Sequence, residues 1–470
     1  MTESWSPPGG LDLGGFFLVI GLILVVARRA ATRPEEYLVA NRSLGLFPLV
    51  ATLVMTEFNT STLLAFSAAG YRAGPMALSL PLVFLVGLAF YTVTVAKAWK
   101  RFDRLSVAEL FAVRYSPALG RVASGLLILA MIGFSATYLK SLTLLIAPWS
   151  GPVNPWIASG ILAAVTLMVV LRGGLAAVVR TDVAGFLLTV VVVVALYFAG
   201  RSALAGGGVL APFPPAQGAL DPIGQWRNPE LPFRFVATLM VLTSFTYIAA
   251  PWYGQKIFAA KNERVAFAAV AIAAVVVFAL YGLMVLAAAS YREHGGTLAD
   301  PQLVVPAMVT AWLPTGLRGI GFGTLFVASL TTLSGVWSAM TAMVVADFGS
   351  VKTELLSGQR LVTAGFAVVC WLGANLLGND ILDRLILANI PVAALAFALL
   401  AGFHWSRATA AGAWSSVVVG VAWGVGCYLV VGEAGGYTWP WAMYGIPLIF
   451  ATGIVVSLME GGRHAGEKLV

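Results

Sequence analysis

The sequence predicts an all-α integral membrane protein of about thirteen transmembrane helices, and three observations lead there. Of 470 residues, 60% are hydrophobic and only 10% charged, with a mean hydropathy of +0.91. A water-soluble chain of this length would need a far more charged surface. Apolar runs of about 20 residues, the length that crosses a bilayer core, recur along the whole chain. Basic residues cluster between those runs, where they suit loops at a membrane surface. The formal charge of +8 therefore points to a lipid bilayer and not to a nucleic-acid partner.

Taken in order, the expected spans are 11–28, 46–70, 75–97, 119–147, 155–172, 180–200, 234–251, 264–289, 316–346, 359–377, 382–404, 410–431 and 440–459. The first ten residues carry Glu3 and no Lys or Arg, while Arg28 and Arg29 follow the first run. A cleavable signal has the opposite polarity, so span 1 is expected to be retained. The longest link, 201–233, is rich in Gly and Pro around APFPPAQG. It is too short to bury a core of its own and reads as an ordered extracellular loop.

Orientation follows from the basic residues. With the N-terminus outside, 20 of the 28 Lys and Arg fall on the cytoplasmic side, seven outside, and Lys140 within a span. Lys256 is counted here with Lys261 and Arg264 as a cytoplasmic loop residue. The asymmetry predicts an external N-terminus and an internal C-terminus. The chain then divides into 1–45 (span 1 and a cytoplasmic link), 46–200 (five spans), the 201–233 loop, 234–404 (five more spans) and 405–470 (two spans and a short tail). Two successive units with an odd number of spans run in opposite directions, so that if the second repeats the first, the repeat is inverted.

Cys370 and Cys427 lie inside apolar runs, and His294, His404 and His464 are far apart. Neither residue type builds a recognisable metal site, and small apolar roles are expected for the cysteines. No metal cluster, nucleophile elbow or phosphate loop is found, so an enzyme is not expected.

Polar residues enter the membrane at two places. In span 2, VMTEFNTST (54–62) sets Thr56, Glu57, Asn59, Thr60, Ser61 and Thr62 near the middle of an apolar run. A carboxylate at that depth is costly unless paired or hydrated and marks a functional site. Ser, Thr and Asn compete for helical hydrogen bonds, so this stretch is expected to break the helix and free carbonyls. The bland alternative is that these groups only bond across to neighbouring helices. In span 9, TLFVASLTTLSGVWSAMTAMVVAD (324–347) puts Thr331 and Thr332 one turn beyond Ala328. Two hydroxyls and a carbonyl make a hard-oxygen site suited to a small monovalent cation.

At these residues the chain resembles the sodium:solute symporter family. EEYLVANRSLG (35–45), SVAELFAVRYS (106–116), GGLAAVVRTD (173–182), APWYGQKIFAAKN (250–262), LPTGLRGIGFGTLFVASLTTLSG (313–335) and AGFHWSRATAAGA (401–413) resemble family segments in the family's order, over roughly residues 35 to 425. The resemblance implies a broken-helix, LeuT-like inverted repeat of five plus five helices, with one helix before it and two after. It also implies sodium-coupled symport by alternating access, in a bacterial-type inner (plasma) membrane. The family's sodium site would fall on the carbonyls of Met55, Phe58 and Ala328 and the hydroxyls of Thr331 and Thr332. Asp182 matches an acidic residue near the family's sodium exit route, with an interfacial helix cap as the plain alternative. Two positions depart from the family pattern: Gly185 stands where Gln is frequent, and Lys256 where Arg is usual. Thr243, Thr246 and Tyr247 replace the amides and aromatic pair of sugar carriers, which disfavours a sugar.

The expected solute site lies near the midplane between spans 2, 4, 7 and 11, with Glu57, Asn59, Thr62, Tyr138, Thr243, Ser244, Tyr247 and Asn389 as candidates. Glu57 matches an acidic position of the family's proline carrier and could serve sodium, a substrate ammonium or a proton. An ionised Glu57 argues against a purely anionic solute unless a second cation or Lys140 compensates, and Lys140 is expected to snorkel to an interface instead. An amino acid or other amine-bearing metabolite is the first expectation and a small monocarboxylate the second. The alternative of another class is a sensory module serving a separate partner, since about ten residues follow the last span, too few for an output domain. The expected partners are a small-molecule solute, sodium and lipid, with the chain a monomer or weak homo-oligomer.

Overall fold

A run of apolar residues in lipid can satisfy its backbone only as a helix or a closed barrel, and in the computed structural model the described residues form helices joined by short links, with one isolated bridge between Leu44 and Ala260. The described residues are 8–150, 154–204, 231–293, 296–349, 355–376, 385–433 and 436–460. Most of the expected extracellular loop (205–230), the start of expected span 11 (382–384) and the tail from residue 461 lie outside them.

In chain order the α-helices are α1 Gly10–Ala27, α2 Pro34–Val39, α3 Leu46–Glu57, α4 Thr60–Ala73, α5 Ser79–Thr94, α6 Ala96–Phe102, α7 Glu109–Arg114, α8 Pro117–Ser150, α9 Pro155–Leu204, α10 Phe233–Tyr247, α11 Pro251–Phe258, α12 Glu263–Glu293, α13 Val304–Trp312, α14 Leu317–Phe348, α15 Leu356–Leu376, α16 Ile390–Ala393, α17 Ala396–His404, α18 Ala410–Val431, α19 Thr438–Pro440 and α20 Ile446–Met459. Among the described residues eight helices are long and apolar enough to cross a membrane, or up to ten if each bent pair is one span.

The expected break in span 2 is present: α3 ends at Glu57 and α4 begins at Thr60, with Phe58 at φ −79°, ψ 87°. Span 7 is also broken, since α10 and α11 meet at 43° across Ile248–Ala250. Expected spans 5 and 6 form one continuous run in which Gly174 alone leaves the helical conformation, at φ 52°. A Cβ there would stand 2.3 Å from the Tyr37 carbonyl, so the break demands glycine for both backbone and space. Expected span 3 opens with a 3-10 turn at Gly74–Leu78 and continues through a bend at Val95 into α6.

The α14 helix forms the middle of the bundle, with 94% of its most apolar window buried, against 22% for α1 at the edge. Packing of α1 on α14 is close enough that a Cβ on Gly319 would stand 1.8 Å from the Asp12 carbonyl. Large apolar side chains on outer helices, such as Leu18, Val191, Leu361 and Val430, are exposed where lipid would cover them.

Candidate functional site

The break between α3 and α4 releases backbone groups, and the sequence decides where they go. In an unbroken helix the N–H of Asn59 would bond the Met55 carbonyl, and that of Thr62 the Phe58 carbonyl. Here the Asn59 side chain caps α4 by accepting from the Thr62 N–H at 3.0 Å. The Asn59 N–H goes to the Tyr281 hydroxyl at 3.1 Å and the Glu57 carbonyl at 3.0 Å. Tyr281 in turn donates to the Glu57 carbonyl at 2.5 Å. Asn59 is thus first a structural cap, and Tyr281 on α12 is its brace.

Of the remaining polar residues at the break, two knit helices together. Thr60 and Ser61 bond Ser141 on α8 at 2.7 and 2.9 Å, and the Thr60 N–H donates to Ser329 on α14 at 2.6 Å. The bland reading therefore holds for Thr60 and Ser61. It fails for Glu57.

Glu57 is buried and stands on the wall of a cavity of about 110 Å3. Its carboxylate accepts from the Tyr247 hydroxyl at 2.5 Å and from the Trp252 indole at 3.3 Å. Among the described residues no Lys, Arg or His forms an ion pair with it. Asn59, Thr62, Tyr138, Thr243, Tyr247 and Asn389 line the same cavity, so seven of the eight expected solute residues come together. Ser244 does not line it: its hydroxyl is turned back to the Met240 carbonyl at 2.7 Å, the usual fate of a helical serine. Phe66, Phe84, Phe134 and Trp252 supply the apolar part of the wall. Thr246, also in the wall, has a buried hydroxyl without a hydrogen-bond partner among the described residues.

Behind the break lies a cluster of oxygens. The Thr332 hydroxyl donates to the Met55 carbonyl at 2.6 Å and to the Ala328 carbonyl at 2.9 Å, and Thr331 donates to Ala328 at 3.2 Å. Four of the five expected sodium ligands are thereby gathered, with the Thr332–Met55 bond joining α14 to α3 and the other two lying within α14. Phe58, the fifth, sits at the break with its ring stacked on Tyr281. These carbonyls and hydroxyls are hard ligands suited to sodium.

Asp182 is fully buried in α9 and is not an interfacial cap. Its Oδ2 accepts from Thr52 and, at 3.1 Å, from the ammonium of Lys256. Lys256 also donates to the Thr52 carbonyl at 2.8 Å and to the Thr56 hydroxyl. This corrects the reading of Lys256 as a cytoplasmic loop residue: it is 1% exposed, on α11, inside the bundle. Counting basic residues between spans missed it because span 7 continues beyond its break. The signal was a lone Lys among apolar and aromatic neighbours in PWYGQKIF, together with Asp182 in a second apolar run.

A family profile described as the sodium:solute symporter family matches residues 37–420. A sodium/pantothenate symporter of Haemophilus influenzae is 23% identical, covering 93% of this chain and 91% of that one. The sodium/pantothenate symporter of Escherichia coli is 24% identical over 87% and 88%. Among solved structures, a substrate-bound outward-open Na+-coupled sialic acid symporter matches with a TM-score of 0.74 at 16% identity, over 96% of this chain and 98% of that one. MhsT in complex with L-phenylalanine matches with a TM-score of 0.52 at 15% identity, over 88% and 98%. At such identities the two structures establish a common fold.

Proposed function

Because this chain belongs to the sodium:solute symporter family, we propose that it uses a sodium gradient to import a small polar, amine-bearing solute, an amino acid or a metabolite of similar size. The observation that carries the solute class is Glu57, a buried carboxylate on the cavity wall with two neutral donors and no basic partner among the described residues. A substrate ammonium would supply the missing charge. Thr62, Thr243 and the unpartnered Thr246 would meet the solute's remaining polar groups, and Tyr247 would hold the carboxylate in place.

The carbonyls of Met55, Phe58 and Ala328 and the hydroxyls of Thr331 and Thr332 would bind sodium. An ion there would bridge α3 to α14 and fix the break from which Glu57 faces the cavity, so sodium would favour solute binding by ordering the same turn. Asp182, whose carboxylate lies close to Thr331, would border the ion's way to the cytoplasm.

The same reading assigns thirteen spans, an external N-terminus and an internal C-terminus. The 48-residue run at Pro155–Ser202 would be about 72 Å long as one straight helix, more than twice a bilayer core, which supports two spans meeting at Gly174. Breaks in spans 2 and 7, the first of each five-helix unit, support the inverted repeat of 46–200 and 234–404. The bacterial relatives support an inner-membrane location.

A small monocarboxylate is the second reading, favoured by relatives named for pantothenate, itself a carboxylate. Thermal-shift screening of amine-bearing and carboxylate metabolites, with and without sodium, would decide between them. Stabilisation by amines that requires sodium is the expected result; stabilisation by carboxylates alone would move the assignment to the second reading.

A further inference from the structure

The ammonium of Lys256 occupies a cation's position. Its three hydrogens meet a carbonyl (Thr52, 2.8 Å), a hydroxyl (Thr56) and a carboxylate (Asp182, 3.1 Å), the same oxygen classes that bind sodium next door. Thr56 follows Met55 in the chain, and Thr331 lies close to the Asp182 carboxylate. The two positions therefore adjoin along one edge. Asp182 Oδ1 is buried and accepts no hydrogen bond of ordinary geometry among the described residues.

Neighbouring residues flank the ammonium and aim it. Gly335 lies beside it: a Cβ there would stand 3.6 Å from Lys256 Nζ, an ordinary contact. Gln255 donates to the Leu38 carbonyl at 2.8 Å and to Ser338 at 3.2 Å, which fixes α11 against α2 and α14. A buried ion pair is weak evidence for a stabilising device, because apolar residues of the same volume often do as well. A role for the charge itself accounts better for its cost.

We propose that Lys256 is a tethered cation that fills the position beside Asp182 where a second sodium ion would otherwise bind, so that the chain takes one sodium ion per cycle. This rests on the sodium site proposed above. With the ammonium in place the carboxylate is neutralised, and a second cation there would meet an adjacent like charge. Without it, Asp182, Thr52 and Thr56 would be an open oxygen site.

The test is equilibrium binding of radioactive sodium to the purified full chain at constant ionic strength. The wild type should bind one ion per chain, with the affinity lowered about tenfold in Thr332→Ala. Lys256→Met should bind two, and Lys256→Met combined with Asp182→Asn should return to one. Asp182→Asn alone leaves the ammonium unneutralised and should weaken sodium binding by about tenfold or more. Adding Lys256→Met to it should restore the affinity, a reciprocal rescue that a merely structural pair would not give. That comparison decides the matter even if Lys256→Met alone does not fold. Two ions bound by the wild type, one ion still bound by folded Lys256→Met, or a double variant as weak as Asp182→Asn would each overturn the proposal. No sodium binding by the wild type would sink the sodium site itself, whereas one ion whose affinity Thr332→Ala lowers keeps that site whatever Lys256 does.

Discussion

The Thr332 hydroxyl donates to the carbonyl of Met55 at 2.6 Å and so joins the middle of α14 to the end of α3. That carbonyl is available only because Asn59, its helical donor, has turned to Tyr281 and Glu57.

Removing the Thr332 hydroxyl should therefore weaken sodium binding without unfolding the bundle. Thr332→Ala is expected to raise the half-saturating sodium concentration by about tenfold, the equivalent of one hydrogen-bonding ligand. Thr331→Ala should act in the same direction. Lithium should substitute in part and potassium should not, because a larger ion does not fit the same short oxygen contacts. Sodium-dependent melting of the purified protein checks all three, and unchanged sodium dependence in both variants would remove the site from this position.

Tyr281 and Asn59 shape the break and are expected to act on stability before affinity. Asn59→Ala should cost about 1 kcal/mol through loss of the α4 cap. Tyr281→Phe leaves the Asn59 N–H without its hydroxyl acceptor and removes a donor from the Glu57 carbonyl, which should cost about 1–3 kcal/mol. Lower melting temperatures in detergent would bear this out, and Asn59→Asp, which keeps the capping oxygen, should recover most of the first loss.

Gly174 separates the two halves of α9 at φ 52° with Tyr37 against it. Gly174→Ala combines an unfavourable backbone conformation with a clash against a carbonyl. The expected outcome is loss of folded protein, read as monodisperse yield after extraction. Wild-type yield would mean that this junction relaxes easily.

Much of the fold was legible because lipid leaves few options: apolar length marked an all-helical membrane chain, and six polar residues in 54–62 marked the break. The site was legible in part. Glu57 announced itself as a carboxylate at depth, and Thr331 and Thr332 as paired hydroxyls. Which hydroxyls face a cavity and which face a helical carbonyl is a matter of rotation by a single residue, so Ser244 and Thr243 could not be told apart. Lys256, Trp252 and Tyr281 were missed for another reason. Each acts on the break at Glu57 from about 200 residues away in sequence, through contacts that only the tertiary packing creates.

Tyr247 is the group that orients Glu57, at 2.5 Å. Tyr247→Phe should raise the solute concentration for half-maximal transport by about tenfold, the value of one hydrogen bond to a charged group, with sodium affinity unchanged. Competition between solute and a labelled substrate in membrane vesicles measures it. A change confined to sodium affinity would mean that Tyr247 serves the ion.

The central claim is that Glu57 meets the positive group of the solute while separate oxygens hold sodium, and Glu57→Gln tests it most directly in sodium-driven uptake by proteoliposomes. The predicted result is a half-maximal solute concentration raised about a hundredfold, with the half-maximal sodium concentration within about twofold of wild type. A shifted sodium dependence with solute affinity intact would assign Glu57 to the ion instead. Loss only of a pH dependence around neutrality would make it a proton carrier, and wild-type behaviour in all three respects would contradict the account and remove the case for an amine-bearing solute.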